Sequence, residues 1–95
     1  MIRVKIIKKP SQTTIIASGH AQYSAKGSDI VCAAFSTLLT HTVNNCTNVS
    51  TIDKNGTLTA IFANSKRIEN ETLLNAFENT VDQLISQYGK YIAWS

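Results

Sequence analysis

Cys32 and His20 are the two residues of this sequence whose types and spacing could support nucleophilic chemistry. Cys32 lies at the third position of a predicted helix for which Asp29 is a good N-cap. Free backbone N–H groups and the positive end of the helix dipole at that position favour a thiolate over a thiol. His20 lies twelve residues earlier, and a strand, loop and helix path of that length can bring its imidazole to the sulfur. The imidazole would take the thiol proton and later protonate a leaving amine, which is the chemistry of acyl transfer.

Each candidate residue also has a purely structural interpretation. An unpaired cysteine on an apolar helix is usually a packing residue, and an isolated histidine at a strand end is usually a polar surface residue. Asp29 is interpreted first as the helix cap and second as a group that orients His20. Ser36 lies one turn beyond Cys32, where its hydroxyl could bond near the sulfur or back to the carbonyl four residues earlier. The N–H of Cys32 and the adjacent first-turn amides are the expected oxyanion donors.

The segment from Gly19 to Ser28 connects the two candidate residues. It consists of small and polar residues, has Gly19 and Gly27 near its ends, and indicates no regular element, so we expect a mobile loop. The glycines are either ordinary turn residues or the ends of a lid. Such a lid would close over a bound peptide, on which Tyr23 would pack.

Hydrophobic periodicity predicts two hairpins and two helices around this segment. The predicted strands are Ile2 to Ile7, Thr13 to Ser18, Val49 to Ile52 and Thr57 to Ala63, and the predicted helices run from Ile30 to about Asn45 and from an Asn70 cap to Gly89. The segment from Lys8 to Gln12 contains the only proline of the sequence and is a predicted turn. Asn55-Gly56, between two β-prone runs, is a strong hairpin signal.

These elements predict an α+β domain of order ββαββα, with a mostly antiparallel sheet and two helices packed on one face of it. The first helix has a wide apolar surface and should be largely buried, whereas the second has one apolar stripe and a polar opposite face. The tail with Tyr91, Ile92 and Trp94 could add a strand, pack on the core or face a dimer partner, and the sequence leaves these choices open.

Length and composition fit one small domain and argue against several classes. The chain has 95 residues, 43% of them hydrophobic, which is enough for one core and too short for two domains. It has no apolar stretch of signal-peptide or membrane-spanning length, so we expect a cytoplasmic protein without membrane association. A formal net charge of +3 is too small to indicate nucleic-acid binding by itself.

The cysteines are expected neither to pair nor to bind a metal. Cys32 and Cys46 fall on one predicted helix, about 21 Å apart along its axis, which is too far for a disulfide. His20, Cys32, His41 and Cys46 lack the close spacing of metal-binding motifs. We therefore expect no metal and no other cofactor.

One continuous run of the sequence resembles the signature of the ribosomal-processing cysteine protease (Prp) family. The matching features are Gly19-His20-Ala21, the His-to-Cys spacing, the loop glycine Gly27, Asp29-Ile30-Val31-Cys32-Ala33-Ala34 and the following Ser36. The ββαββα order and the length extend the resemblance over essentially the whole chain. The sequence departs from the family pattern at Phe35, where a smaller β-branched residue is usual.

The resemblance implies that residues 1–95 form a single cysteine protease domain with His20 and Cys32 as its dyad. It also implies a cytoplasmic bacterial endopeptidase, usually a homodimer, whose partner is the precursor of ribosomal protein twenty-seven of the large subunit. The family removes the short N-terminal extension of that protein by cutting after an aromatic pair in an extended hydrophobic peptide. Phe35 would reshape a pocket if it faces the site, or it faces the core.

The alternative is a non-enzymatic ribosome- or RNA-associated binding module. Its basis is the group of Arg3, Lys5, Lys8 and Lys9 at the start of the chain, which could meet phosphates. No interleaved aromatic platform or longer basic stripe accompanies these charges, so we expect no direct binding of nucleic acid.

Overall fold

Five strands and two helices form the structure, a computed structural model that describes residues 1–25 and 29–95. The elements are β1 (Ile2–Lys9), β2 (Gln12–Ser18), α1 (Ile30–Asn45), β3 (Val49–Lys54), β4 (Thr57–Phe62), α2 (Ile68–Tyr88) and β5 (Ile92–Trp94). The strands form one sheet in the order β3-β4-β2-β1-β5, in which the β1–β5 pair is parallel and the other three pairs are antiparallel. The predicted α+β class and ββαββα order are confirmed, and a fifth strand follows them.

Both hairpins turn over two residues. Lys9 pairs with Gln12, so the first turn is Pro10-Ser11 and is shorter than the predicted Lys8 to Gln12 segment. In the second hairpin Asn55 and Gly56 have φ angles of 54° and 77°, the left-handed values that a turn matched to the strand twist requires. β1 and β3 therefore each run two residues further than the sequence pattern predicts.

The C-terminal tail adds β5 beside β1. Ile92 pairs with Ile2 and is fully buried. The N–H of Ile2 donates to the carbonyl of Tyr91 at 2.8 Å, and the N–H of Ser95 donates to the carbonyl of Val4 at 2.7 Å. The tail thus supplies partners to backbone groups that would otherwise lie at a sheet edge, so it adds a strand and also packs on the core, two of the three predicted choices.

One face of the sheet and one stripe of each helix form the core. Its buried apolar residues are Ile2, Val4, Ile15, Ala17, Ala21, Val31, Phe35, Leu39, Ala60, Phe62, Leu74, Phe77, Val81 and Ile92. α1 is less buried than predicted, because Ile30 is 53% exposed and Ala33 and Ala34 are also exposed. The buried residues of α1 share one core with α2 and the sheet, and the opposite face of the helix is exposed to water. Within the described ranges neither helix is long and apolar enough to cross a membrane.

Asn70 does not cap the second helix, contrary to the prediction. α2 begins at Ile68, with Arg67 at the cap position and no side-chain cap bond. Asn70 is fully buried, its Oδ1 accepts the N–H of Thr47 at 2.8 Å, and its Nδ2 donates to the carbonyls of Thr47 and Asn64, each at 3.0 Å. The side chain therefore joins the segment after α1 to the segment before α2, and these distant partners replace the local cap bond.

We expect Asn70→Ala to lower the free energy of unfolding by roughly 2 kcal/mol, because it leaves backbone groups of two segments without their partner. Asn75→Ala, at an exposed position of the same helix, is the matched control. It should change stability by no more than about 0.5 kcal/mol, in the stabilising direction, because alanine is the better helix former. Urea unfolding followed by circular dichroism measures both variants. Equal and small effects would contradict the bracing role of Asn70.

Candidate active site

Cys32 and His20 line two adjoining cavities where α1 begins beside the sheet. The first, here the sheet-side cavity, has a volume of about 320 Å³, and the second, the loop-side cavity, has a volume of about 510 Å³. Both cavities are lined by His20, Cys32 and Ser36. The sheet-side cavity is also lined by Ile2, Ala17, Ser18, Gly19, Phe35, Leu39, Asp53, Gly56 and Leu58, and the loop-side cavity by Gln22, Ser24, Asp29 and Ala33. A peptide that crosses both cavities would place one of its bonds beside Cys32.

Gly19 positions His20 at the end of β2. Its φ of 85° is left-handed, and a Cβ atom there would lie 2.3 Å from the carbonyl oxygen of Met1. This close approach requires glycine, whether or not the following loop also closes over the site. The exposed His20 comes next in the chain and reaches both cavities. Gly27, the second predicted loop glycine, lies outside the described residues.

The sulfur of Cys32 accepts a hydrogen bond from the backbone N–H of Ala21 at 3.2 Å. Ala21 is only 2% exposed, so packing holds this donor beside the sulfur. An N–H group aimed at the sulfur stabilises negative charge there. Among residues 1–25 and 29–95 no hydrogen bond joins His20 to Cys32, so the contact of a dyad requires the imidazole to move within the cavities that both side chains share.

Asp29 is the N-cap of α1, as predicted. Its Oδ1 accepts the N–H groups of Val31 and Cys32, each at 3.0 Å. Its Oδ2 accepts the N–H of Tyr23 at 2.9 Å and that of Ser24 at 3.4 Å. One carboxylate therefore fixes the first turn of the helix and the preceding loop together. In the described part of the chain no hydrogen bond or ion pair joins Asp29 to His20, although both line the loop-side cavity.

The amides of Val31, Cys32 and Ala33 are already hydrogen-bonded, so the expectation that the N–H of Cys32 and its neighbours are oxyanion donors is wrong for this conformation. The N–H groups of Val31 and Cys32 donate to the Asp29 carboxylate, and the N–H of Ala33 donates to the Asp29 carbonyl at 3.0 Å. A carboxylate cap and an oxyanion compete for the same donors. Ser36 forms neither of its two predicted hydrogen bonds within the described residues, and its hydroxyl is therefore available to a ligand in either cavity.

Tyr23 packs against two other tyrosines. Its ring centroid lies 5.7 Å from that of Tyr88 and 5.1 Å from that of Tyr91, and both pairs are edge-to-face. The loop that carries Ala21 is thereby attached to the end of α2 and the approach to β5. The prediction that Tyr23 packs on a bound peptide did not include these contacts, because residues so distant in sequence carry no pairing signal.

Hydrogen bonding and burial change the pKa values of Asp29 and Cys46. Desolvation raises the pKa of the Asp29 carboxyl, but the N–H groups of Cys32, Tyr23, Ser24 and Val31 together outweigh it and hold that pKa below its ordinary 3.8. Burial raises the pKa of the Cys46 thiol above its ordinary 9.0. Cys46 lies just after α1, at its C-cap, and outside both cavities.

His41 and Cys46 do not join His20 and Cys32 in a cluster. His41 is exposed on α1, and Cys46 ends that helix. Both cysteines are free thiols. In the ranges 1–25 and 29–95 no three His, Cys, Asp or Glu residues are grouped closely enough to hold a metal ion.

Known proteins resemble this chain in sequence and in fold. The family profile of cysteine protease Prp matches residues 1–93. The crystal structure of the essential ribosomal processing protease Prp from S. aureus with a covalently linked product peptide has a TM-score of 0.84 at 24% identity, and the match covers 100% of this chain and 98% of that chain. The S. aureus structure with a substrate peptide has a TM-score of 0.78 at 23% identity and the same coverage. SMU.848 from Streptococcus mutans has a TM-score of 0.73 at 24% identity, with 100% and 92% covered. No curated protein gives a significant match.

A cysteine at a helix N-terminus that shares a cavity with a histidine is typical of thiol hydrolases. The family match covers nearly the whole chain. The chain belongs to the family of cysteine protease Prp, and the protein is a cysteine protease. The family predicted from the run between Gly19 and Ser36 is thus confirmed, and the alternative of a non-enzymatic binding module is set aside.

We expect Asp29→Ala to lower the Tm at neutral pH, because it removes acceptors from the helix and from the loop. The pKa of Asp29 is depressed in the folded state, so its contribution is present above about pH 4 and is lost as the pH falls through that depressed value. Asp29→Asn is the matched variant, because its amide oxygen can cap Val31 and Cys32 but its amide nitrogen cannot accept from Tyr23 and Ser24. The Tm of Asp29→Asn should lie between that of the native protein and that of Asp29→Ala. Thermal unfolding from pH 7 to pH 3 tests this, and a Tm difference independent of pH would argue against it.

Cys32 should react with iodoacetamide about tenfold or more faster than Cys46 at pH 7. The Ala21 N–H stabilises a thiolate at Cys32, whereas burial raises the pKa of Cys46. Mass spectrometry of adducts over time measures both rates. Cys46→Ala and Cys32→Ala leave one thiol each and serve as controls. Faster labelling of Cys46 in the folded protein would count against Cys32 as the nucleophile.

Proposed function

We propose that the protein is an endopeptidase in which His20 and Cys32 form the dyad, and that it removes the N-terminal extension of ribosomal protein twenty-seven of the large subunit. The observation that carries the proposal is that both side chains line both cavities, with an N–H donor on the sulfur. The S. aureus relatives with product and substrate peptides support a peptide as ligand. The family signature between Gly19 and Ser36 supports the ribosomal precursor as that peptide.

The reaction begins when the imidazole of His20 takes the thiol proton of Cys32. The thiolate attacks the carbonyl carbon, a C–S bond forms, and the imidazolium protonates the amine as the C–N bond breaks. Water, deprotonated by His20, then hydrolyses the thioester, which releases the new carboxyl terminus and restores the thiol. The Ala21 N–H stabilises the thiolate, and the Ser36 hydroxyl donates to the substrate carbonyl oxygen.

The sheet-side cavity suits an apolar side chain of the substrate. Phe35, Leu39 and Leu58 lie in its wall, and its volume of about 320 Å³ is in the range of small ligand pockets. Phe35 is 5% exposed and its ring lies 6.2 Å from that of Phe77, so the residue serves the core and the cavity together. The presence of Phe35 where the family usually has a smaller residue therefore changes the shape of the cavity, and with it the specificity, as well as the packing of the core.

The proposal further includes one protease domain over residues 1–95, a cytoplasmic location and a homodimer, without a cofactor and without direct contact to nucleic acid. The family resemblance supports the location and the dimer. Ile7 and Ile52 are 36% and 57% exposed. By strand alternation both lie on the sheet face opposite the helices, where a second copy would cover them.

Cys32→Ala and His20→Ala should each slow cleavage of the ribosomal precursor by at least about 1000-fold. The first variant lacks the sulfur that attacks the carbonyl carbon, and the second lacks the imidazole that transfers the proton. Cys46→Ala and His41→Ala remove the same types of side chain at positions outside both cavities, so these variants should keep near-normal rates. Mass spectrometry of the products locates the cut, and circular dichroism verifies the fold of each variant. Near-normal turnover by either dyad variant would refute the dyad, and a cut outside the N-terminal extension would refute the substrate.

A further inference from the structure

The β3–β4 hairpin contributes a carboxylate to the otherwise apolar far side of the sheet-side cavity. Asp53 lies opposite Leu58 in the strand register, and Leu58 in turn pairs with Ala17, a core residue. The three residues therefore lie on the sheet face that the helices cover. In the described part of that cavity wall, Asp53 is the one acidic residue.

Within residues 1–25 and 29–95 the carboxylate of Asp53 forms neither a hydrogen bond nor an ion pair. The ion pairs between described residues join Lys8 to Glu78 and Arg67 to Glu69, and no hydrogen bond to Asp53 is formed in residues 1–25 and 29–95. Lys54, the next residue, points to the opposite sheet face because side chains alternate along a strand. Asp53 is thus a carboxyl group at the edge of the site with no side-chain partner among the described residues.

Asp29, the other carboxylate near Cys32, is not available to pair with a cationic side chain of a ligand. Its two oxygens already accept four backbone N–H groups, and the loss of these hydrogen bonds would destabilise the first turn of α1. Of the two carboxylates that line the cavities in the described part of the chain, Asp53 is therefore the one available to a cation. Asp53 itself is exposed and its cross-strand neighbour Leu58 is half-buried, so water screens such a pair and its effect should be modest and depend on salt.

The hairpin leaves room for a ligand at this position. Gly56 also lines the cavity, and apart from its chain neighbours no heavy atom of the described residues lies within 4 Å of the place where its Cβ would be. A peptide in the cavity can therefore extend past the hairpin tip and bring a long side chain to Asp53. Lysine and arginine have the length and the charge for this contact.

We propose that Asp53 is a specificity-determining residue that selects a lysine or arginine in the peptide substrate. This basic residue lies at a different position of the peptide from the apolar residue that the sheet-side cavity holds. The inference rests on the proposed peptidase function and adds a substrate class to it. The preferred substrates are extended peptides that combine an apolar residue at the cut with a basic residue on the side that passes the β3–β4 hairpin.

The test is a charge reversal with matched peptides. A peptide that contains the proposed ribosomal cleavage sequence is varied one position at a time, with Lys, Gln or Glu at each flanking position, and kcat/KM is measured at low salt. We expect the native protein to prefer Lys over Glu by about 3- to 10-fold at one or two positions on one side of the cut. Asp53→Asn should remove this preference, and Asp53→Lys should reverse it.

Two controls separate this contact from general charge effects. Glu71→Gln changes the net charge by the same amount as Asp53→Asn but lies outside both cavities, so it should leave the preference unchanged. Raising the salt concentration should narrow the preference of the native protein, because added ions screen the pair. The Kd of the same peptides for the Cys32→Ala variant gives a readout that does not depend on turnover.

The outcomes separate the inference from the function on which it rests. Cleavage of every peptide without a charge preference, or an unchanged preference in Asp53→Lys, overturns the role of Asp53 and leaves the peptidase function intact. Failure of the native protein to cut any peptide overturns both. Reversal of the preference in Asp53→Lys, with Glu71→Gln unchanged, establishes the contact.

Discussion

The Asp29 carboxylate holds two segments of the chain at once, and the geometry of the site depends on it. One oxygen starts α1 and the other accepts the N–H groups of Tyr23 and Ser24. Because the helix begins at Ile30, the sulfur of Cys32 lies in the first turn and faces the loop. The negative charge of Asp29 also offsets the positive end of the helix dipole. The Ala21 N–H is therefore the specific donor that stabilises a thiolate.

The remainder of the site is assembled from the ends of elements that are distant in sequence. β2 ends at Ser18, Gly19 turns the chain against the carbonyl of Met1, and the β3–β4 hairpin forms the far wall of the sheet-side cavity. Tyr23 attaches the loop to α2 and to the approach to β5. The strand ends, the loop after β2 and the start of α1 thus line two cavities around one cysteine, although the chain has only 95 residues. The core and the site share residues, and Phe35 shows this directly.

Local patterns in the sequence determined the elements, the family and most of the candidate site. Asn55-Gly56 predicts its hairpin because few residues other than these adopt the left-handed φ angles of that turn. Asp29 predicts the start of α1 because a short carboxylate at that position reaches the helix N–H groups without help from other segments. His20 and Cys32 follow from the family motif, and the structure places both in the same cavities.

Only the tertiary structure decided the partners that lie far apart in sequence. Asn70 has the residue type of a cap, but its bonds to Thr47 and Asn64 depend on how the two helices are joined. The pairing of β5 with β1 and the exposed face of α1 likewise follow from which surfaces meet in the fold. Asp53 lines the cavity because the strand register turns it toward the helices. Local propensity depends on residues that are neighbours in the sequence, whereas these contacts depend on packing between distant segments. A local sequence pattern therefore does not predict them.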